Sequence, residues 1–568
     1  MNLKVIIAII LILPNICFGA TKYVDMVAGA CVGNYSIASR NCSGVDGTSY
    51  ATIATAIAAV SVGDVIYIRG GNYTEDITLP NVNGTAWTVG NYITVASYTG
   101  EWAIITGTSQ TSKVFSRVGN PSGAPPDVPT SYWLFERLEL TGGRFAFLLD
   151  KGPIWIRYCY IHDNNYSGNC DDLASGIWIN QSRLSIIEYN YIANNIADGV
   201  KTGNCSNIAL NADYYDDSDP TTFIEDDALS RNVIRYNYIV GSRSAIHYKN
   251  QQRFGTNTRT SAGVISSYGT WGDLIHHNIV ENPAQYGIVC DQDNCQVYNN
   301  IINGSSEYAL GVQFGLEESL SSSVPRILNT VSYNNTVIKS LKAFGNSSGC
   351  DAGTDTCVDE GGVGAVPVPY TWHYNNISDQ NHTTGWQQFP FVIAAELAVG
   401  RVTTMTNVYI KNNLVHSPVW DGGLDNDYIL RGRASGYTIA EAEVAFPSIA
   451  NNYTNSTANL FHGVTGADQY KTVGTFVIGA STIATGGIGG AHPYLAGVTI
   501  PSYVGAVNPS STCWVNGVLG LNSSYFTSAT AGSTPNWIDG GSECGSSITL
   551  GAGPLTITKG AGSLTLSW

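Results

Sequence analysis

One phrase returns throughout the chain. It reads IIEYNYIANN at 186–195, VIRYNYIVGS at 233–242, LIHHNIVEN at 274–282 and QVYNNIING at 296–304. It continues as TVSYNNTVIK at 330–339, TWHYNNISD at 371–379 and YIKNNLVHS at 409–417. Aligned on the residue after the aromatic or basic one, the phrases place Cys159, Asn190, Asn237, His277, Asn299, Asn334, Asn375 and Asn412 in one column. The following column holds Tyr160, Tyr191, Tyr238, Asn278, Asn300, Asn335, Asn376 and Asn413. The third holds Ile161, Ile192, Ile239, Ile279, Ile301, Thr336, Ile377 and Leu414. A second phrase is interleaved: SGIWI at Gly176, DGVKT at Gly199, SAIHY at Ala245, YGIVC at Gly287 and YALGV at Ala309.

The intervals decide the architecture. His277 to Asn299 and Gly287 to Ala309 both span 22 residues, so two strands return after the same short stretch. Alternating apolar and polar residues turn one face of each strand inward. A repeat this short, with strands and no helix, is a solenoid of stacked coils about 4.8 Å apart. Inward Ile then stacks on Ile, and turn Asn on turn Asn, whose amides hydrogen-bond up the stack. Longer intervals, such as Asn190 to Asn237, are coils with an inserted loop. The expected class is all-β: a right-handed parallel β-helix, with a short N-terminal capping helix and a C-terminal β-rich region.

Composition agrees and excludes some partners. Hydrophobic residues make up 43% and charged residues 12%, with 62 Gly, 33 Tyr and 3 Met. That mixture suits strands and turns. A net charge of −16 argues against a nucleic-acid partner. MNLKVIIAIILILPNICFGATKY has the form of a secretory signal peptide over 1–20, and no later apolar run is long enough to span a membrane. The expectation is a secreted or surface-associated protein, with the β-helix over 21–418. Residues 419–568 are expected to be final coils, a cap or a small accessory β region. Cys31 with Cys42, Cys290 with Cys295, Cys350 with Cys357, and Cys513 with Cys544 read as disulfides of an oxidising compartment. Cys159, Cys170 and Cys205 leave one thiol over.

The segment ATIATAIAAVSVGDVIYIRGGNYTED, with Ile53, Ile57 and Val60 at helical spacing, resembles the opening of secreted parallel β-helix proteins of the pectate-lyase-like superfamily. The repeated phrases resemble its coils over roughly Tyr50 to Ser417. The resemblance implies the fold and leaves activity open, because the fold hosts lyases, hydrolases, epimerases and adhesins. For a lyase it implies a Lys or Arg base, often with bound calcium.

Aligning the second phrase on Leu148, Ile177, Val200, Ile246 and Ile288 places Trp178, Lys201, His247 and Val289 in the next, outward column. Asn180, Gly203, Lys249 and Asp291 lie two residues further on. Lys201, His247 and Lys249 are therefore candidate catalytic bases, and Trp178, Asp291 and Asn180 candidate substrate contacts. β-Elimination on a uronate needs a base for the proton α to the carboxylate, and Lys serves when a neighbouring cation or burial lowers its pKa. The loop NADYYDDSDPTTFIEDD offers Asp213, Asp216, Asp217, Asp219, Glu225, Asp226 and Asp227, hard oxygen ligands suited to calcium. The functional expectation is a protein acting on a polysaccharide or cell-surface glycan, as a lyase of an acidic polysaccharide. The alternatives are a non-catalytic adhesin, surface or glycan-binding β-helix, and a glycoside hydrolase using Asp171, Asp172 or Asp198. A charge run or an outward Lys also serves simply as a solvated face.

Overall fold

Apolar alternation and a fixed two-residue turn generate the coils. In a computed structural model, residues 19–117, 130–164, 175–180, 184–195, 206–211, 232–249, 273–290, 295–304, 310–314, 330–338, 342–346, 371–379, 389–393, 408–416, 428–431, 437–454, 489–491, 499–507, 514–515 and 556–567 are described, with a few single positions between them. One coil consists of strands Ile154–Arg157, Tyr160–His162 and Ser175–Asn180. Each pairs in parallel with its counterpart in the next coil: Ile186–Glu188, Tyr191–Ala193 and Ser206–Asn211. First-row strands build a 14-stranded sheet ending at Ile449–Ala450. Second- and third-row strands form one 22-stranded sheet, joined because Tyr238–Lys249 and Ile279–Cys290 run unbroken through both rows. The chain is an all-β parallel β-helix.

The interior is filled by rows of like side chains. Ile161, Ile192, Ile239, Val280, Ile302, Val337 and Val415 lie in the main core and are essentially inaccessible. Helices close both ends. Helix α1, Ile53–Ala58, starts at Thr52 and buries Ile53, Ala56 and Ile57 on the first coil. The Glu75 carboxylate accepts from the Ile53 and Ala54 amides at 3.0 and 2.9 Å, satisfying donors the helix start leaves open. Helix α2, Ile439–Ala445, opens with a Thr438–Glu441 capping box and buries Ala442 in the same core. A cap at this end, spelled TIAE in the sequence, extends the single N-terminal helix that was expected.

From Tyr158 upward the corner between first and second rows has two residues. The first of them is left-handed: Tyr158, Tyr189, Tyr236, His277, Asn299, Asn334, Asn375, Asn412 and Asn451 have φ from 52° to 56°. The second is a buried ladder residue: Asn190, Asn237, Asn278, Asn300, Asn335, Asn376, Asn413 and Asn452. From Asn190 upward each Nδ2 donates to the next Oδ1 at 3.0–3.1 Å. Each of these Oδ1 atoms also takes the backbone N–H of the Asn below. The backbone N–H of Cys159 caps the lower end on Asn190, and Glu443 from α2 caps the upper end on the Asn452 amide.

This ladder corrects the sequence alignment. Asn237 stacks on Asn278, not on His277, and Tyr238 pairs with Ile279. The columns slipped by one residue from His277 onward, because later phrases carry Asn at both corner positions. A one-residue slip moves a strand's side chains to the other face. Ile279, Ile301, Ile377 and Leu414 consequently lie outside the main core, in a second cluster with Val504, Trp514, Val515, Val518 and Leu521, and Thr336 stands at the same position of its coil. The second phrase shifts likewise: Tyr286 pairs with Leu310 and Ile288 with Val312, so Gly287 is not opposite Ala309.

Cys31–Cys42 and Cys290–Cys295 are disulfides. Cys159 is a buried free thiol, and burial pushes its pKa up to about 12. Cys170, Cys205, Cys350, Cys357, Cys513 and Cys544 lie outside the described residues. No helix among the described residues is long and apolar enough to cross a membrane.

Two substitutions test the register. Asn300→Ala removes the acceptor of two buried Asn278 donors, each costing about 1–3 kcal/mol when left unsatisfied. A drop in the urea midpoint by that order is expected, with an unchanged m-value. Ile192→Asp places a carboxylate in the fully buried row and abolishes the cooperative melt. A melt near the parent's would refute the assignment of that row.

Candidate functional site

The longest inserts between described strands follow the third strand of a coil, with shorter ones, such as 163–174 and 194–205, before it. From Tyr158 upward the first-to-second corner keeps two residues, but the chain runs from Asn211 to Val233, from Lys249 to Leu274, from Phe314 to Thr330 and from Asn346 to Thr371 before the next first-row strand. Variable insertions on an invariant frame are where such a scaffold carries function.

The register fixes which third-row positions neighbour each other. Leu148, Trp178, Ala209, His247, Val289, Gln313 and Gly345 follow one another coil by coil. Ile177, Ile208 and Ile288, one residue earlier, lie in the main core, whereas Trp178, Ala209 and Val289 lie in separate clusters outside it. Lys249 pairs with Asn211, and Asn180 pairs with Asp150. His247 and Lys249 are thus two apart on one strand, at positions whose neighbours belong to the outer side.

Lys201 does not hold the position the sequence alignment gave it. The strand opposite Ser175–Asn180 is Ser206–Asn211, and Ala209 stands opposite Trp178. DGVKT resembles the neighbouring phrases in composition, but Ser175 pairs with Ser206, which fixes the register. Trp178 is only 3% exposed and packs with Phe145, Leu148 and Ala209, its ring meeting Phe145 edge-on at 6.3 Å. It forms a floor, and its faces are not open platforms. Lys201, Asp291, Asp213, Asp216, Asp217, Asp219, Glu225, Asp226 and Asp227 lie outside the described residues, as do Asp171, Asp172 and Asp198. Among the described residues no group of three or more His, Cys, Asp or Glu side chains is placed to hold a metal ion.

Two features escaped the sequence reading. A second Asn ladder sits at the turn into the third row: Asn164 Nδ2 donates to Asn195 Oδ1 at 2.8 Å, and Asn195 Nδ2 to Asn207 Oδ1 at 2.9 Å. Its signal was the repeated HDNN, IANN and CSNI. It fixes the entry to the strands just below His247 and Lys249. The other feature is a polar cluster on the outer second row. His162 Nε2 meets Glu139 at 3.1 Å, His162 Nδ1 meets Asp163 at 2.8 Å, and Trp102 Nε1 donates to Glu139 at 2.6 Å. The Tyr160 ring stacks on the imidazole at 3.8 Å. Both ring nitrogens are engaged, so His162 has no free nitrogen for proton abstraction. Its role here is to tie two coils together.

No protein-family model matches the chain, and no curated protein matches it. Solved structures align along most of its length at low identity. An alginate lyase from Paenibacillus sp. str. FPU-7 aligns at 11% identity, covering 71% of this chain and 95% of that one, with a TM-score of 0.29. A pectate lyase, Pel9A, aligns at 12% identity, covering 86% and 97%, with a TM-score of 0.33. A complex of XylC with xylose aligns at 12% identity, covering 79% and 88%, with a TM-score of 0.42. These similarities concern coil architecture, and the strand register establishes the fold independently of them.

The histidines give stability a two-sided pH dependence. Burial lowers the His162 pKa, but its hydrogen bonds with Glu139 and Asp163 outweigh this and raise it above 6.5. Its contribution is complete below the unfolded value and is lost as pH rises through the raised one. Burial holds His277 and His373 down to about 3, so their contribution is present above about 6.5 and is lost as pH falls. His162→Gln is expected to flatten the alkaline limb of a melting-temperature profile and leave the acid limb. An unchanged alkaline limb would remove His162 as its source.

Proposed function

We propose that this chain is an exported polysaccharide-active β-helix that cleaves an acidic polysaccharide by β-elimination. The observation that carries the reading is the strand Tyr238–Lys249, which sets His247 and Lys249 two residues apart on the row followed by the longest inserts. The stacked third-row strands run coil by coil along the axis, a repeat that suits an elongated polymer. Lys249 is the proposed base for the proton α to the uronate carboxylate. His247 is the second candidate, and Asn180 is assigned to substrate contact below them. Lys201 and Asp291 remain in the proposal only as insert residues near this row. The acidic loop from Asp213 to Asp227 falls within the insert that precedes the strand, and in this reading it holds calcium. Oxygen-rich loops of this kind suit that ion. The two disulfides agree with export to an oxidising compartment.

A specific observation favours a second reading, a non-catalytic glycan-binding or surface β-helix. Trp178, Ala209, Val289 and Gln313, which flank His247 in the row, are all at most 5% exposed, so the floor of this face is closed. The two readings separate in one assay. The mature protein is incubated with pectate, alginate and glycosaminoglycans, with calcium and with chelator, while ultraviolet absorbance of an unsaturated product is followed. The expected outcome is a calcium-dependent signal that falls by about 10²-fold or more in Lys249→Ala or His247→Ala, the usual scale for a general base. Both variants keep the parent melt. Folded protein that yields no unsaturated product on any polymer would overturn the lyase reading. A reducing-end assay would then distinguish a hydrolase from a binding protein.

A further inference from the structure

The outer side of the ladder corner changes character halfway up. Below, the left-handed positions are Tyr158, Tyr189 and Tyr236, stacked face to face at 5.2 and 5.1 Å within 6° of parallel. Above, they become Asn299, Asn334 and Asn375, and there a distant part of the chain crosses them. Ile500 packs on Tyr333 and Trp372 of the first row. Asn375 Nδ2 donates to the Pro501 carbonyl at 2.8 Å, and Asn334 Nδ2 to the Tyr503 carbonyl at 2.6 Å. In return the Gly505 amide donates to the Asn375 carbonyl at 2.7 Å, and the Ala506 amide to Thr336 Oγ1 at 2.9 Å. Val504, Ala506 and Val507 of the crossing then share, with Trp514, Val515, Val518 and Leu521, the cover of the second-row stripe of Ile279, Ile301, Ile377 and Leu414.

We infer that this corner is a peptide-binding rail whose occupant is the chain's own segment 499–507, a strap that lifts off without unfolding the coils. Three features argue for recognition rather than incidental packing. Thr336 is the one hydroxyl in an otherwise aliphatic stripe, and it meets the Ala506 amide. Gly505 has φ of +90°, and a Cβ there would come within 2.3 Å of Ile377 Cδ1, so the close crossing requires glycine. Asn replaces Tyr at the corner where main-chain carbonyls must be met. The strap is held by side-chain amides and a few main-chain bonds at one corner. The coils are held by continuous ladders on every row, so the strap belongs to the less stable end of the structure. Its release bares the part of the apolar stripe that Val504, Ala506 and Val507 cover.

Hydrogen exchange on the intact chain tests this. Amides in 499–507 are expected to be protected, yet to exchange faster than those of the strands Thr330–Tyr333 and Thr371–Tyr374. Thr336→Val and, within the strap itself, Gly505→Ala are each expected to accelerate strap exchange by about tenfold or more. Strand protection should stay at the parent level, and binding of a hydrophobic dye should rise. Three results would each overturn the inference: an unprotected strap in the parent, strap and strand amides opening together in every protein, or strap exchange unmoved by either substitution.

Discussion

A buried asparagine in a stacked coil has one inexpensive partner: the same asparagine one coil away. Its Oδ1 takes two donors from below, and its Nδ2 needs an acceptor above and a carbonyl beside it. Leaving any of these unmet in the interior costs about 1–3 kcal/mol. Eight such residues, from Asn190 to Asn452, meet the demand in sequence. The ladder therefore fixes the corner at two residues and fixes the register of the strands on both sides. Its ends require different partners. Cys159 supplies only a backbone amide, and its thiol turns to the carbonyls of Phe135 and Arg157. Glu443 reaches down from the closing helix, so a helix that covers the open core also terminates the hydrogen-bond chain.

The coil was legible in the sequence because the ladder demands one residue type at one place. The register was less legible, for a reason the strap explains. From His277 onward, the residue just after the ladder asparagine is aliphatic, and an aliphatic residue in a strand reads as inward. Ile279, Ile301, Ile377 and Leu414 are apolar because residues beyond 499 cover them, some two hundred positions further along for the earliest. Local periodicity carries no trace of a cover that distant. The inward row was one residue later, at Val280, Ile302, Val337 and Val415.

Candidate site residues fared unevenly for a related reason. His247 and Lys249 belong to a strand whose pairing is dictated by Ser206–Asn211, so their relative positions follow from the frame. Lys201 sat in a look-alike phrase inside an insertion, where no ladder constrains register. Trp178 looked like a sugar platform because it is an aromatic residue on the outer side of a strand. Its burial among Phe145, Leu148 and Ala209 shows that outer does not mean open in this molecule.

The same frame explains where activity has room to arise. A corner of two residues tolerates no insertion, because one extra residue would break a ladder bond and flip a strand. The turn into the third row is held by a second ladder as far as Asn207. The exit from the third row carries no such constraint among the described residues, and there the intervals lengthen without disturbing the stack. His247 and Lys249 stand on that row at the brink of the insert leading to Leu274, whereas the more conspicuous His162 is tied by both ring nitrogens into the coil frame.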